Sequence, residues 1–102
     1  GMTLDKNKNL WVAHFHGACV SVFNNKAKLI HRIRFPAKNI TNCAFGGKNT
    51  NELYVSTATK GMNKADLQKF RYSGFFFSVK TNVKGILQKK FILNNEEKRS
   101  LL

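Results

Sequence analysis

The segment NLWVA at 9–13 returns as ELYVS at 52–56, so that Leu10 aligns with Leu53, Trp11 with Tyr54 and Val12 with Val55, 43 residues on. Each copy follows an apolar strand-like run and a polar turn, DKNKN in the first case and GGKNTN in the second. Each is followed by a third apolar run, CVSVF or FFFSV. A self-similar unit of this length cannot bury its apolar faces alone and must stack against its neighbour. That requirement points to a repeat architecture, the alternative being two β-meanders that are alike by chance.

Seven short β-like runs separated by Gly, Asn and Lys turns fill most of the chain: GMTL, NLWVAHF, CVSVF, KLIHRIRF, ITNCAFGG, ELYVSTA and GFFFSV. In LIHRIRF, Arg32 and Arg34 alternate with Ile33 and Phe35, the period of a half-exposed outer strand. The first run of each group is apolar on both faces, as an inner strand should be. Repeats of roughly 40–45 residues with about four strands are the mark of propeller blades. The expected fold is therefore all-β: two four-stranded antiparallel blades, 1–38 and 39–93, forming an incomplete ring. The second unit carries an insertion at 60–73, in which Asn63 can cap a single helical turn with Asp66 three residues later. A further strand over 86–93 could extend that unit, and 94–102 read as a polar tail.

At 102 residues the chain is the size of one small domain, and its 42% hydrophobic content, nine Phe included, suffices for a core. No run approaches the roughly 18 apolar residues of a membrane span, and no secretory signal pattern is present. Cys19 and Cys43 are therefore expected to be free, buried thiols in a cytoplasmic protein. The balance of 18 Lys+Arg against 5 Asp+Glu raises a nucleic-acid or anionic-membrane partner. The cations are dispersed from Lys6 to Arg99 with no long block, which favours a solvated basic surface over a specific nucleic-acid site.

Three stretches, GMTLDKNKNLWVA, CAFGGKNTNELYVSTA and SGFFFSVKTNVKG, resemble in order and spacing the late-blade patterns of the regucalcin and gluconolactonase family of sugar-lactone lactonases. The resemblance covers about residues 1–86 and implies the fifth and sixth blades of a six-bladed propeller, the C-terminal portion of such a protein. It also implies a hydrolase that opens sugar lactones with a calcium or zinc ion in its central channel. The family's Asp ligand belongs to a PDGM motif of which this chain begins at GM, which places that ligand immediately before Gly1. The Glu and Asn ligands lie in earlier blades. No metal ligand and no catalytic residue is therefore assigned within the chain.

Aligning the inner strands sets Gly1 against Asn42 and Met2 against Cys43, and puts Thr41 at the position equivalent to the ligand Asp. Thr41 is thus the one expected pocket-lining residue, a liner beside the metal site and not a ligand. The alternative is a strand-end hydroxyl bonded to backbone. His14 and His16 in HFHG stand at i and i+2, on one face of a strand, a spacing open to metal binding but lacking a third ligand. Plain surface histidines are the simpler expectation. Ser73 replaces the first Gly of a family pair, Asp5 reads as a structural turn residue, and Trp11 and Tyr54 read as blade-packing aromatics.

Two other readings compete with a lactonase portion that pairs with the remainder of its propeller. One is a two-blade binding scaffold that self-associates, three copies making six blades. The other is a basic nucleic-acid-binding β domain, whose affinity would fall steeply with salt. The coding sequence just upstream of Gly1 is expected to specify Pro–Asp. Sequencing that reveals a start signal or a purification tag there overturns the lactonase-portion reading.

Overall fold

A computed structural model describes residues 1–86. Alternating apolar side chains between polar turns give β1 (Met2–Leu4), β2 (Leu10–His14), β3 (Cys19–Phe23) and β4 (Leu29–Arg34), then β5 (Asn39–Gly46), β6 (Glu52–Ala58), helix α1 (Lys64–Lys69) and β7 (Phe77–Lys80). The first four strands form one antiparallel sheet in sequential order, and β5–β6–β7 form a second. The fourth strand expected for the second sheet, 86–93, and the tail 94–102 lie outside the described residues beyond Ile86. Among the described residues that sheet has three strands, not four.

The turns explain why the strands start where they do. Asp5 Oδ1 accepts from the backbone N–H groups of Asn7 and Asn9 at 2.8 and 3.0 Å, and Lys8 takes a left-handed φ of 63°. Asn24 repeats this geometry: its Oδ1 accepts from Lys26 and Lys28, both at 3.0 Å, with Ala27 at φ 61°. A short side-chain acceptor that bonds its own turn in this way fixes the hairpin before any packing is made. In the insertion, Asn63 caps α1 and Asp66 reaches back, the reciprocal arrangement anticipated from the sequence. Lys38 donates to Asp66 Oδ2 at 2.9 Å and, with that bond and its charge, holds the Asp66 carboxyl below the usual carboxylate range. Ser73, at the family's glycine position, accepts from the Lys38 N–H and donates to the Phe70 carbonyl, so the turn is made without that glycine.

The two sheets stack face to back. Trp11, Val20 and Val22 lie on one side of the first sheet and pack against Ile40, Cys43, Leu53 and Val55 on the facing side of the second. Phe35 and Ala37, in the link between sheets, close one end of this core. Aromatic edges lock it: Trp11 meets Phe45 at 5.1 Å and Phe35 meets Phe77 at 5.3 Å, both T-shaped. Repeat equivalence explains the burial phase. Trp11 is buried whereas its counterpart Tyr54 is half-buried, because equivalent residues point the same way and, among the described residues, only the first sheet has a neighbour on that side.

Met2 and Leu4, on the side of β1 away from the second sheet, are 62% and 44% exposed, the open apolar face that two blades of a ring leave. One expectation needs correction: the third strand of the second unit starts late, at Phe77, and leaves Phe75 and Phe76 exposed. Gly74 ahead of them donates to the Thr57 hydroxyl, and the Phe75 carbonyl accepts from it, a side-chain bridge in place of ladder pairing.

One clasp joins the sheets at the turn end. Asp5 bridges to Gly85, the Lys6 N–H donates to Lys84, and Gly85 N–H donates to Thr50. Gly85 is required by close approach: a Cβ there would stand 2.2 Å from Phe45 Cβ. Asp5→Ala is expected to lower the unfolding free energy by about 2–4 kcal/mol, because it orphans buried donors. Gly85→Ala should cost about 1–3 kcal/mol through overpacking. Urea titrations followed by Trp11 fluorescence measure both, and losses below about 1 kcal/mol would show that the clasp does not hold the sheets.

Candidate functional site

Polar groups gather where the two inner strands meet. The Gly1 amino group donates to the Thr41 carbonyl at 2.8 Å, and the Ala13 N–H donates to the Gly1 carbonyl at 2.9 Å. A β-bulge between Ile40 and Asn42 leaves Thr41 without a partner in the β5–β6 ladder and turns its hydroxyl toward Ser56, 2.7 Å away. The Thr41 side chain is therefore bonded to another hydroxyl, not to backbone. Asn42 Oδ1 accepts from the Cys43 N–H at 2.9 Å. A Cβ on Gly1 would meet the Asn42 side-chain amide, so a larger residue there requires Asn42 to turn away. Residue-type patterns in the sequence did not reveal Ser56; its pairing with Thr41 depends on the bulge.

A shallow hollow of about 190 Å³ adjoins this cluster, bordered by Asn42, Ala44, Tyr54, Ser56 and Phe76. Tyr54 and Phe76 stack over it at 5.8 Å, and the Tyr54 hydroxyl donates to Glu52 at 2.9 Å. That bond and the Glu52 charge raise the phenol above its ordinary value. A larger cavity of about 390 Å³ opens at the other end of the strands, between the sheets, with Trp11, His31, Val79 and Thr81 in its walls. It lies beside the Asp5 clasp and away from Thr41.

The histidine pair does not form a chelating face. β2 ends at His14, and His16 sits in the following turn at φ 68°, edge-on to Phe15. The Gly17 N–H donates to the His14 carbonyl, so the chain reverses before His16 can share a strand face with His14. Among the described residues, no three His, Cys, Asp or Glu side chains converge to hold a metal. Among the described residues every carboxylate has a partner: Asp5 accepts from the Trp11 indole at 2.9 Å as well as from its own turn, Glu52 from the Tyr54 hydroxyl and Asp66 from Lys38. These residues do not fit a divalent cation.

Both cysteines are free and buried. The Cys43 thiol donates to the Trp11 carbonyl at 3.5 Å, and desolvation pushes it up from its ordinary value, the reverse of what a nucleophile needs.

The family description "SMP-30/Gluconolactonase/LRE-like region" matches residues 1–59. The chain belongs to this family. A Bacillus subtilis (strain 168) protein, "Putative sugar lactone lactonase YvrE", is 40% identical over 83% of the chain and 30% of its own length. Danio rerio regucalcin is 39% identical over 84% of the chain and 30% of its own. Among solved structures, the Agrobacterium tumefaciens regucalcin, described as a calcium-binding protein, superposes with a TM-score of 0.84 over 91% of the chain and 32% of its own. At 24% identity that likeness concerns the fold. A luciferin-regenerating enzyme, 32% identical, gives a TM-score of 0.73 over 84% of the chain and 29% of its own. The chain thus spans about a third of the length of these relatives.

Because the thiols are buried and Cys43 is held protonated, neither is expected to react with iodoacetamide in the folded chain at neutral pH. Both should react fully in denaturant, as read by intact mass. Rapid native alkylation of Cys43 would show that its surroundings open to water.

Proposed function

We propose that this chain is part of the wall of a sugar-lactone hydrolase, forming the fifth and sixth blades of a six-bladed propeller. The observation that carries this reading is the family match over residues 1–59. It coincides with a polar seam in which Gly1, Thr41, Asn42 and Ser56 meet at the inner strands. Face-to-back stacking of two equivalent sheets is the local geometry a propeller requires. The order of the three family-like stretches supports a place in the last third of the longer protein.

In this reading Thr41 lines the channel. Its hydroxyl, paired with Ser56, offers a donor and an acceptor to a substrate hydroxyl. The pairing fixes its orientation in advance, so it positions a polyhydroxylated ring without taking part in bond cleavage. The calcium or zinc ion of the family is assigned to residues elsewhere in the longer protein, on the motif reading that puts its Asp ligand immediately before Gly1 and its Glu and Asn ligands in earlier blades. Two free thiols agree with a cytoplasmic, reducing setting. The excess of basic groups is a solvated surface, not a specific nucleic-acid site.

The purified 102-residue chain is expected to leave gluconolactone at its spontaneous rate, with or without calcium or zinc, in a pH-stat assay. Metal-dependent acceleration would place the reacting groups inside this chain and overturn the assignment. In the longer protein, Thr41→Val should raise KM several-fold and leave kcat within about twofold, as expected for lost ground-state binding. An unchanged KM removes Thr41 from the channel.

A further inference from the structure

The turns that end the strands on one side are rich in lysine and asparagine. DKNKN joins β1 to β2, NNKAK joins β3 to β4, GKNTN joins β5 to β6, and TNVKG follows β7. Register puts all four at the same end of the two sheets: Leu4 pairs with Leu10, Leu10 with Phe23 and Phe23 with Leu29, while Gly46 pairs with Glu52 and Glu52 with Lys80. The Asp5–Gly85 clasp joins the sheets there. Lys6, Lys8, Lys26, Lys28, Lys48 and Lys84 are exposed in these turns, and among the described residues none of them has an ion pair. The two carboxylates at this end are turned to other work: Asp5 is fully buried against its own turn and Trp11, and Glu52 accepts from Tyr54. Asp66 pairs with Lys38 at the opposite end, toward which Thr41 and Ser56 also lie. The turn face therefore carries charge of one sign.

We infer that this turn face docks on an anionic lipid surface, a leaflet containing phosphatidylserine. Nucleic-acid sites combine cations with stacking aromatics or bidentate arginines, and the four turns hold neither. Lysines are hydrated point charges, suited to the diffuse potential of a charged leaflet. Leu29 and Ile30, which follow Lys28 on the outermost strand of the first sheet, are 41% and 49% exposed and can enter the headgroup region. The lysines stay hydrated in such a contact, in keeping with a solvated basic surface. Neither the remainder of a propeller nor residues 87–102 cancels this charge. Blades stack on the broad faces of their sheets, which leaves strand-end turns at the surface of the ring. Residues 87–102 add Lys89, Lys90, Lys98 and Arg99 against Glu96 and Glu97, so wherever they lie the excess stays positive. Docking by the turns leaves the Thr41 seam directed away from the lipid. The inference rests on charge placement and is independent of lactone chemistry.

Co-sedimentation of the purified 102-residue chain with phosphatidylcholine vesicles containing phosphatidylserine should show binding at low ionic strength that is lost at high salt, as screening requires. Pure phosphatidylcholine vesicles should capture none. Lys26→Gln, Lys48→Gln and Lys84→Gln together, exposed positions in three of the turns, should weaken binding about 100-fold, roughly five-fold per lysine, with circular dichroism unchanged. The matched triple Lys60→Gln, Lys64→Gln and Lys69→Gln removes the same charge from exposed positions at the opposite end. It should bind within about threefold of the parent, because its charges lie beyond the screening length from the lipid. Lys8→Gln with Lys80→Gln repeats the comparison if the turn triple fails to fold. No binding to phosphatidylserine vesicles, equal capture by neutral vesicles, or equal losses in the two triples would each overturn the docking face. Duplex DNA bound more tightly than vesicles, and released by the turn triple, would assign the face to nucleic acid and overturn it as well.

Discussion

The carboxylate of Asp5 is the point on which the described structure depends. It is fully buried, with Oδ1 accepting from two backbone N–H groups of its own turn and Oδ2 from the Trp11 indole at 2.9 Å. A buried carboxylate is tolerated only when its lone pairs are used, and here three donors are supplied within six residues of sequence. The first two shape the β1–β2 hairpin. The third aims the indole ring into the space between the sheets, where it meets Phe45. Local turn chemistry and the long-range core are thereby coupled through one side chain. The second sheet uses a related device, Tyr54 bonded to Glu52, but there the aromatic points away from the first sheet.

From this follows the asymmetry of the molecule. Among the described residues, two sheets of the same sequence phase, stacked in the same sense, leave one front and one back without a neighbouring sheet. The repeat made that legible: Trp11 and Tyr54 are equivalent by alignment, yet one is core and the other half-buried. The hairpin turns, the capped single-turn helix at Asn63 and the free buried thiols were legible for the same reason, because each rests on contacts within a few residues or on residue type alone.

What the sequence hid depended on distant partners or on a one-residue change of register. The bulge at Thr41 joins that residue to Ser56, and no periodicity announces it. His14 and His16 have strand spacing, but the turn that begins at His14 separates them, and only its backbone bond to Gly17 shows where the strand stops. The late start of β7 arises because Thr57, not the ladder, engages the backbone at Gly74 and Phe75. The clasp at Gly85 depends on a contact with Phe45, forty residues away.

The same separation between local and distant information bears on function. A lactone must be gripped and its carbonyl activated by groups converging from several blades. The described residues contribute one seam of hydroxyl and amide groups, with every carboxylate committed to structure. Were the Asp5 carboxylate to turn to a cation, the buried Trp11 indole N–H would lose its acceptor, and were Asp66 to do so, Lys38 would lose its ion pair. Among the described residues the acidic side chains hold turns, a helix cap and an aromatic in place, and the groups that meet at the inner seam, Thr41, Asn42 and Ser56, are neutral.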